Sequence, residues 1–284
     1  MSDVLVIAGH ALRESLRRRV FVVVVALTLV FGGLYAWGAH ELFKDVSGFN
    51  NNDVGLDAKT LAGATLLGLA MFGTLFLGAV LAVFLTLSAV RGDAETGLLQ
   101  PLIVRPLGRN QYLAGRFLAA AAVAFVYVGL VYAGAVIITG TTGDWWPANP
   151  VGAGLRLALA MVVVAALSLL GSIFLSSIAN GIGVLMIFGA GLLAGLLGSI
   201  GDALNSHTLQ TIANTASWVL PFEALYRDAL RLLVQDIPGV TGAIVQLGPL
   251  GGSHDAGAFL LPWVVIYIVL VATVGAFAFS RRDL

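Results

Sequence analysis

Three constellations in the sequence carry residue types and spacings suited to chemistry. The first is the run from Arg91 to Arg116, RGDAETGLLQPLIVRPLGRNQYLAGR. Asp93 and Glu95 lead into apolar Leu98, Leu99, Leu102 and Ile103, and Arg105, Pro106 and Arg109 follow. Four large apolar residues in a short polar connection need membrane or a partner to cover them. A helix laid in a partner's groove is one way to use them. The second constellation is Ser217 to Val234, where Trp218, Leu220, Phe222, Leu225, Leu230 and Leu233 oppose Glu223, Arg227, Asp228 and Arg231. Glu223 and Arg227 stand at i, i+4 in the favourable order. The segment reads as an amphipathic helix on an interface or dipping into it. Trp218, Phe222, Glu223 and Arg227 are candidates for an outer lid over a substrate exit, and a packed cap is the alternative. The third is Gly191-x-x-x-Gly195, with Gly198 and Gly201 extending the small face. Such a stripe lets helices approach closely, either as intramolecular packing or as a dimer seam.

The chemistry that is missing is equally informative. No G-x-S-x-G and no H-E-x-x-H occurs, and His10, His40, His207 and His254 lie apart without ligand spacing. No catalytic residue and no metal ligand is expected. Zero cysteines exclude disulfides and thiolate sites. Ser172 has no nucleophile's partners in sequence and is expected to bond to its own helix. A P-loop needs G-x-x-x-x-G-K-[ST], and Lys59-Thr60 is preceded by Ala58 rather than Gly. The chain therefore carries no cofactor or nucleotide site of its own, is not itself an enzyme, and energised transport would draw on another polypeptide.

These groups must be positioned by an unusually apolar chain. Of 284 residues, 59% are apolar before the 35 glycines are counted, and 11% are charged. Soluble domains carry about 25% charged residues. A chain of this size cannot hide so much apolar surface from water, and disorder needs the opposite composition. Fifteen basic and fifteen acidic residues cancel, so no broad cationic face for nucleic acid is built.

Six stretches reach the roughly 20 apolar residues that cross a hydrocarbon core. They run from about Val20 to Ala39, Ala64 to Val90, Phe117 to Thr139, Leu157 to Ile178, Ile182 to Ile200 and Leu260 to Phe279. None alternates with period two, so helices rather than barrel strands are expected. The expected fold is an all-α polytopic membrane protein forming one transmembrane domain over residues 1–284. Residues 1–19 form an amphipathic interfacial helix, 20–200 hold five spans with the connection 91–116, 201–259 form a long outer loop and helix, and 260–284 form the sixth span and tail.

The basic residues orient it. Arg13, Arg17, Arg18, Arg19, Arg91, Arg105, Arg109, Arg116, Arg281 and Arg282 fall on one side in short segments, and five basic residues fall on the other in longer ones. The positive-inside rule then puts both termini in the cytoplasm. Trp37, Trp145, Trp146, Trp218 and Trp263 all fall at the opposite interface, where amphipathic rings collect. A cleaved leader is the competing reading of the first span. Its apolar run of about 20 residues exceeds the 7–15 of a leader, and Trp37 occupies the only candidate cleavage region. The loop from about His40 to Gly63 is expected to be solvated, since its acidic residues lack calcium-loop spacing. None of the six core stretches contains Asp, Glu, Lys, Arg or His. Ion-coupled carriers place such groups within the membrane, so coupling to an ion gradient is disfavoured.

The run Glu95-Thr96-Gly97-Leu98-Leu99, followed by Arg105-Pro106-Leu107-Gly108-Arg109, resembles the first cytoplasmic loop of type 2 ABC exporter permeases. Gly115-Arg116 stands where a Gly-Lys pair opens the next helix in that family. The six spans, the N-terminal amphipathic segment, the long last outer loop and the closing Phe279-Ser280-Arg281-Arg282-Asp283-Leu284 are similar as well. Leu98 departs from the usual Thr, Arg116 from the usual Lys, and Pro101 interrupts the coupling helix, because it biases Gln100 away from helical geometry.

The resemblance implies a permease subunit of a prokaryotic plasma-membrane exporter. Two halves, identical or paired with a homologous chain, would join two cytoplasmic ABC ATPase subunits that bind ATP and Mg. Glu95, Gly97, Leu98, Leu99, Pro106 and Arg109 would dock the ATPase. A non-transporting membrane scaffold or a passive pore are the alternatives. The cargo is not legible in the sequence.

Overall fold

The computed structural model describes residues 9, 19–46, 57–87, 109–235, 237, 241 and 257–281. Among these residues every regular element is a helix. They are α1 (Arg19–Val46), α2 (Ala58–Thr86), α3 (Arg109–Gly143), α4 (Pro150–Phe174), α5 (Ser177–Ala203), α6 (His207–Val219), α7 (Pro221–Val234) and α8 (Leu260–Ser280). Six of them, α1 to α5 and α8, are long and apolar enough to cross a membrane. The segment 1–18 apart from Gly9, residues 47–56 and 88–108, most of 236–256 and the last three residues lie outside the described part.

Several helices overrun the apolar stretches that mark them in sequence, while α2 starts six residues earlier than expected and ends at Thr86 rather than Val90. Helix α1 continues past Ala39 to Val46, and α3 starts at Arg109 rather than near Phe117. Ala39 and Phe43 in this extension pack with Ala62, so parts of the expected solvated loop 40–63 are helical and buried. Asp57 starts α2 by accepting hydrogen bonds from the backbone N–H groups of Lys59 and Thr60, the N-cap geometry that satisfies orphan donors. The Thr60 hydroxyl and these N–H groups hold the Asp57 carboxyl below its usual pKa. Asn149 caps α4 through the Gly152 N–H, with Pro150 at the first helical position, where a missing N–H costs nothing.

The fourth span ends at Phe174, not at Ile178, and α5 begins after only two extended residues, Leu175 and Ser176. Asn180, fully buried, explains the tight turn. Its side-chain N–H group donates to the Ser168 carbonyl at 2.9 Å, twelve residues back on α4. A Cβ at Gly171 would collide with the Asn180 side chain, so Gly171 is what lets the two helices close.

Helices α2 and α4 form the interior, with two-thirds of their apolar windows buried, against 11% in α1 and 22% in α8. Lipid is as apolar as leucine, so helix association rests on van der Waals contact through small residues and on interhelical hydrogen bonds. Both devices are visible. Phe31 of α1 fills the face of Gly73, and Val128 and Met161 press on Gly78 from α3 and α4. The Tyr35 hydroxyl meets Thr139 Oγ1 at 2.5 Å, and Thr28 Oγ1 contacts the Tyr127 hydroxyl, both tying α1 to α3. Ser172 donates to the Leu169 carbonyl at 2.7 Å, bonded within its own helix.

The bundle has one tryptophan-bearing end. Trp145 and Trp146, between α3 and α4, lie on Gly63 and Gly140. Trp263 in the first turn of α8 meets Trp218 edge-on, with centroids 5.4 Å apart. At the other end Leu113, Leu169, Ile173 and Phe279 form a separate cluster, which fixes α8 antiparallel to α3.

A Cβ at Gly78 would lie 2.7 Å from Val128 Cγ2 and 3.0 Å from Met161 Cγ. The substitution Gly78→Leu is expected to lower the stability of the purified chain by about 1–3 kcal/mol through overpacking, read as a fall in Tm. Gly129→Leu, where a Cβ meets nothing within 4 Å, should leave Tm unchanged.

Candidate functional site: the inserted helix pair

The segment from Ser217 to Val234 is not one helix. Leu220 has φ −124° and ψ 70°, and Pro221 opens α7 as its first residue. Proline lacks the N–H that would continue α6 and clashes with the preceding turn, and it biases the residue before it away from helical geometry. The chain therefore doubles back at Leu220–Pro221. Helix α6 runs down α5 from the tryptophan-bearing end, and α7 climbs back against α4.

The start of this pair is set by Asn205, which adopts φ +50°, a left-handed conformation that Asn tolerates after a helix end. Ser206 N–H then bonds to the Gly201 carbonyl at 2.8 Å. Its tip is set by Trp263, whose indole N–H donates to the Trp218 carbonyl at 3.0 Å. Trp263 lies about 5 Å inside the start of α8 at 1.5 Å per residue. The tip thus lies beside the first turn of α8, about ten residues of α5 below the start of the pair.

The glycine stripe of α5 is the seat of the pair. A Cβ at Gly191 would lie 2.6 Å from Phe222, and one at Gly198 would lie 2.9 Å from Ala213 and 3.0 Å from Arg227 Nη1. One at Gly195 would strike Glu223 Oε1, and one at Gly201 would lie 2.9 Å from Leu209. Gly191 and Gly195 are therefore occupied within the chain. Phe222 stacks on Phe188 of α5 with centroids 5.5 Å apart. Thirteen of the fourteen residues of α7 are buried.

That burial takes charges with it, and here the sequence expectation needs correction. Charges outside the six apolar stretches were expected in loops or at ends, yet Glu223, Arg227 and Asp228 are buried among helices. Arg156, which precedes the apolar stretch starting at Leu157, lies in α4. Asp228 is clasped from both sides. Arg156 Nε donates to its Oδ2, and Arg231 Nε donates to its Oδ1 at 2.9 Å. This triad fastens α7 to α4. Arg227 Nε sits 3.6 Å from Glu223 Oε1, so the i, i+4 pair forms as the spacing predicts.

Glu223 is only 2% exposed. The Ser217 hydroxyl lies 3.0 Å from Glu223 Oε2 and 3.0 Å from the Ala213 carbonyl. One hydroxyl proton serves one acceptor. Burial pushes the Glu223 pKa up, and Arg227 and Ser217 oppose that rise.

Of the remaining sequence candidates, Trp218 is exposed at 55% and Phe222 is buried at the tip. Arg109 opens α3. Glu95, Gly97, Leu98, Leu99 and Pro106 lie outside the described residues. Sequence reasoning missed Arg156, Asp228 and Ser217 as partners. The signal was present in the four glycines of α5 at spacings of four, three and three, a face that needs an occupant, and in the proline that splits the amphipathic segment.

Six helices long and apolar enough to cross a membrane, with a helix pair packed beside them, define a multi-pass membrane protein. Residues 5–284 match the family model described as ABC-2 family transporter protein. The chain belongs to that family and is a membrane permease subunit of an ABC transporter. No curated protein matches it.

Two outcomes are expected. The folded chain binds the Glu223 proton more tightly than the unfolded chain, so folding stability falls as pH rises from the ordinary carboxylate range, about 4.3, through the raised value. Tm of the purified protein should decline over that window, and Glu223→Gln should flatten the decline. Asp228→Ala leaves Arg156 and Arg231 without their shared carboxylate and should cost about 3 kcal/mol. The double change Arg156→Met with Asp228→Leu should cost less than the single one.

Proposed function

We propose that the chain is the membrane half of an exporter of a prokaryotic plasma membrane. A separate cytoplasmic ATPase subunit, binding ATP and Mg, drives it. The observation that carries this reading is the family match over residues 5–284. The absence of a P-loop in the sequence supports it, since the only lysine before a Thr lacks the Gly that the motif requires.

The ten basic residues of the short segments put both termini and the connection 91–116 on the cytoplasmic side. The tryptophan-bearing end then faces outward, and the α6–α7 pair stands at the outer end of the transport path. Glu95, Gly97, Leu98, Leu99, Pro106 and Arg109 dock the ATPase. Two permease chains, identical or homologous, form the complete path. ATPase closure is transmitted through this connection to the spans, and the pair over the exit moves with them.

Co-purification from the native membrane tests this reading. The wild-type chain should bring down an ATPase and support ATP hydrolysis in inside-out vesicles. Glu95→Lys or Leu99→Asp should reduce both at least tenfold without loss of the folded permease. Retention of the complex and of hydrolysis in both variants removes these residues from docking.

A further inference from the structure

Beneath the mouth formed by Phe72 of α2 and Leu196 of α5 lies a recess of about 130 Å³. Gly195, Glu223, Tyr226 and Arg227 form its inner wall. Phe72 is 44% exposed and Leu196 56%, so the recess opens on the outer surface of the chain. Glu223 Oε1 lies against Gly195 in this wall. It is buried and accepts no hydrogen bond from the described residues, and Arg227 at 3.6 Å is beyond hydrogen-bonding distance.

A buried acceptor without a donor costs about 1–3 kcal/mol, a deficit that a ligand's O–H or N–H removes. The sign of the surroundings selects the ligand. Arg156, Arg227 and Arg231 outnumber Glu223 and Asp228 around α7, so an added cation meets net positive charge in a poorly solvated place. An anion meets the carboxylate wall of Glu223. A neutral donor meets neither penalty. The mouth is apolar and lies on the same face as exposed Leu69, Phe76 and Leu193, which continue along α2 and α5 as a surface for a chain of methylenes.

From this geometry we infer that the recess binds the uncharged hydroxyl-bearing head of an amphiphile, the Glu223 carboxyl turning Oε1 away from Gly195 to accept from its hydroxyl, with the apolar tail leaving past Phe72 and Leu196. The volume admits a head of a few heavy atoms and excludes drug-sized molecules, whose pockets run from about 300 Å³. Gly195 is the specificity element, because any side chain there would displace the carboxylate. The site goes beyond the transport reading and operates in the permease chain without an ATPase.

The test is photolabelling of the full chain in lipid nanodiscs, without ATPase or nucleotide. The probes are a twelve-carbon primary alcohol bearing a mid-chain diazirine, its methyl ether and the matching primary amine. Mass spectrometry reads the labelled residues. The alcohol should label the stretches around Phe72 or Leu192–Leu196 at least fivefold more than either the ether or the amine. Glu223→Gln, which keeps a carbonyl acceptor, should retain that labelling within twofold. Glu223→Met, which has no such acceptor, should lose it at least fivefold. Leu196→Trp, which narrows the exposed mouth and leaves Glu223 in place, should lose it as well, and serves if Glu223→Met fails to fold. Equal labelling by alcohol and ether overturns the inference, as does preference for the amine, loss in Glu223→Gln equal to that in Glu223→Met, or no label at the recess in the wild type. A missing ATPase partner would leave each of these results unchanged.

Discussion

Close backbone approach is the constraint on which the bundle depends. Between helices in lipid the hydrophobic effect supplies little, so contact area and polar links must supply the rest. The chain answers with glycine faces that take large side chains from the neighbouring helix. Phe31 sits on Gly73, Met161 on Gly78 and Phe222 on Gly191. Interhelical bonds such as Tyr35 to Thr139 add direction where dispersion alone would allow rotation. The abundance of glycine, costly in a soluble helix, is here the material from which the packing is made.

The same device admits a polar element into an apolar bundle. Helix α7 carries Glu223, Arg227, Asp228 and Arg231 within nine residues. Buried charges are tolerated when paired and hydrogen-bonded, and the triad of Arg156, Asp228 and Arg231 meets that condition. Glu223 meets it only in part, since Ser217 is shared with a carbonyl and Oε1 faces Gly195 without a donor. The least satisfied polar atom of the pair thus belongs to a residue that lines the recess beside α5.

Much of this was legible in the sequence. The spans follow from runs of apolar residues longer than any strand, and all six appear as helices, although the second and fourth start earlier and stop at Thr86 and Phe174, short of the expected Val90 and Ile178. The i, i+4 pair of Glu223 and Arg227 follows from spacing. The helix boundaries were less legible, because α1 extends to Val46 through residues polar enough to read as loop. Insertion of α6 and α7 was not legible from amphipathicity, since a helix on an interface and a helix between other helices carry the same alternation. What separates them is the partner face, and the glycine stripe of α5 had two possible occupants until Phe222 and Glu223 were placed on it. The long-range reach of Arg156 to Asp228, seventy-two positions apart, has no local signature at all.

The two-residue joint at Leu175–Ser176 acquires a mechanical meaning from what lies at the far end of its helices. Asn180 clamps α4 to α5 beside that joint. At the opposite end α7 is bolted to α4 by Asp228 while its companion α6 rests on α5. A pair of rods fastened at top and bottom cannot scissor. Helices α4 to α7 are thus linked to one another at both ends, whereas α1 and α8 share less buried surface with the bundle.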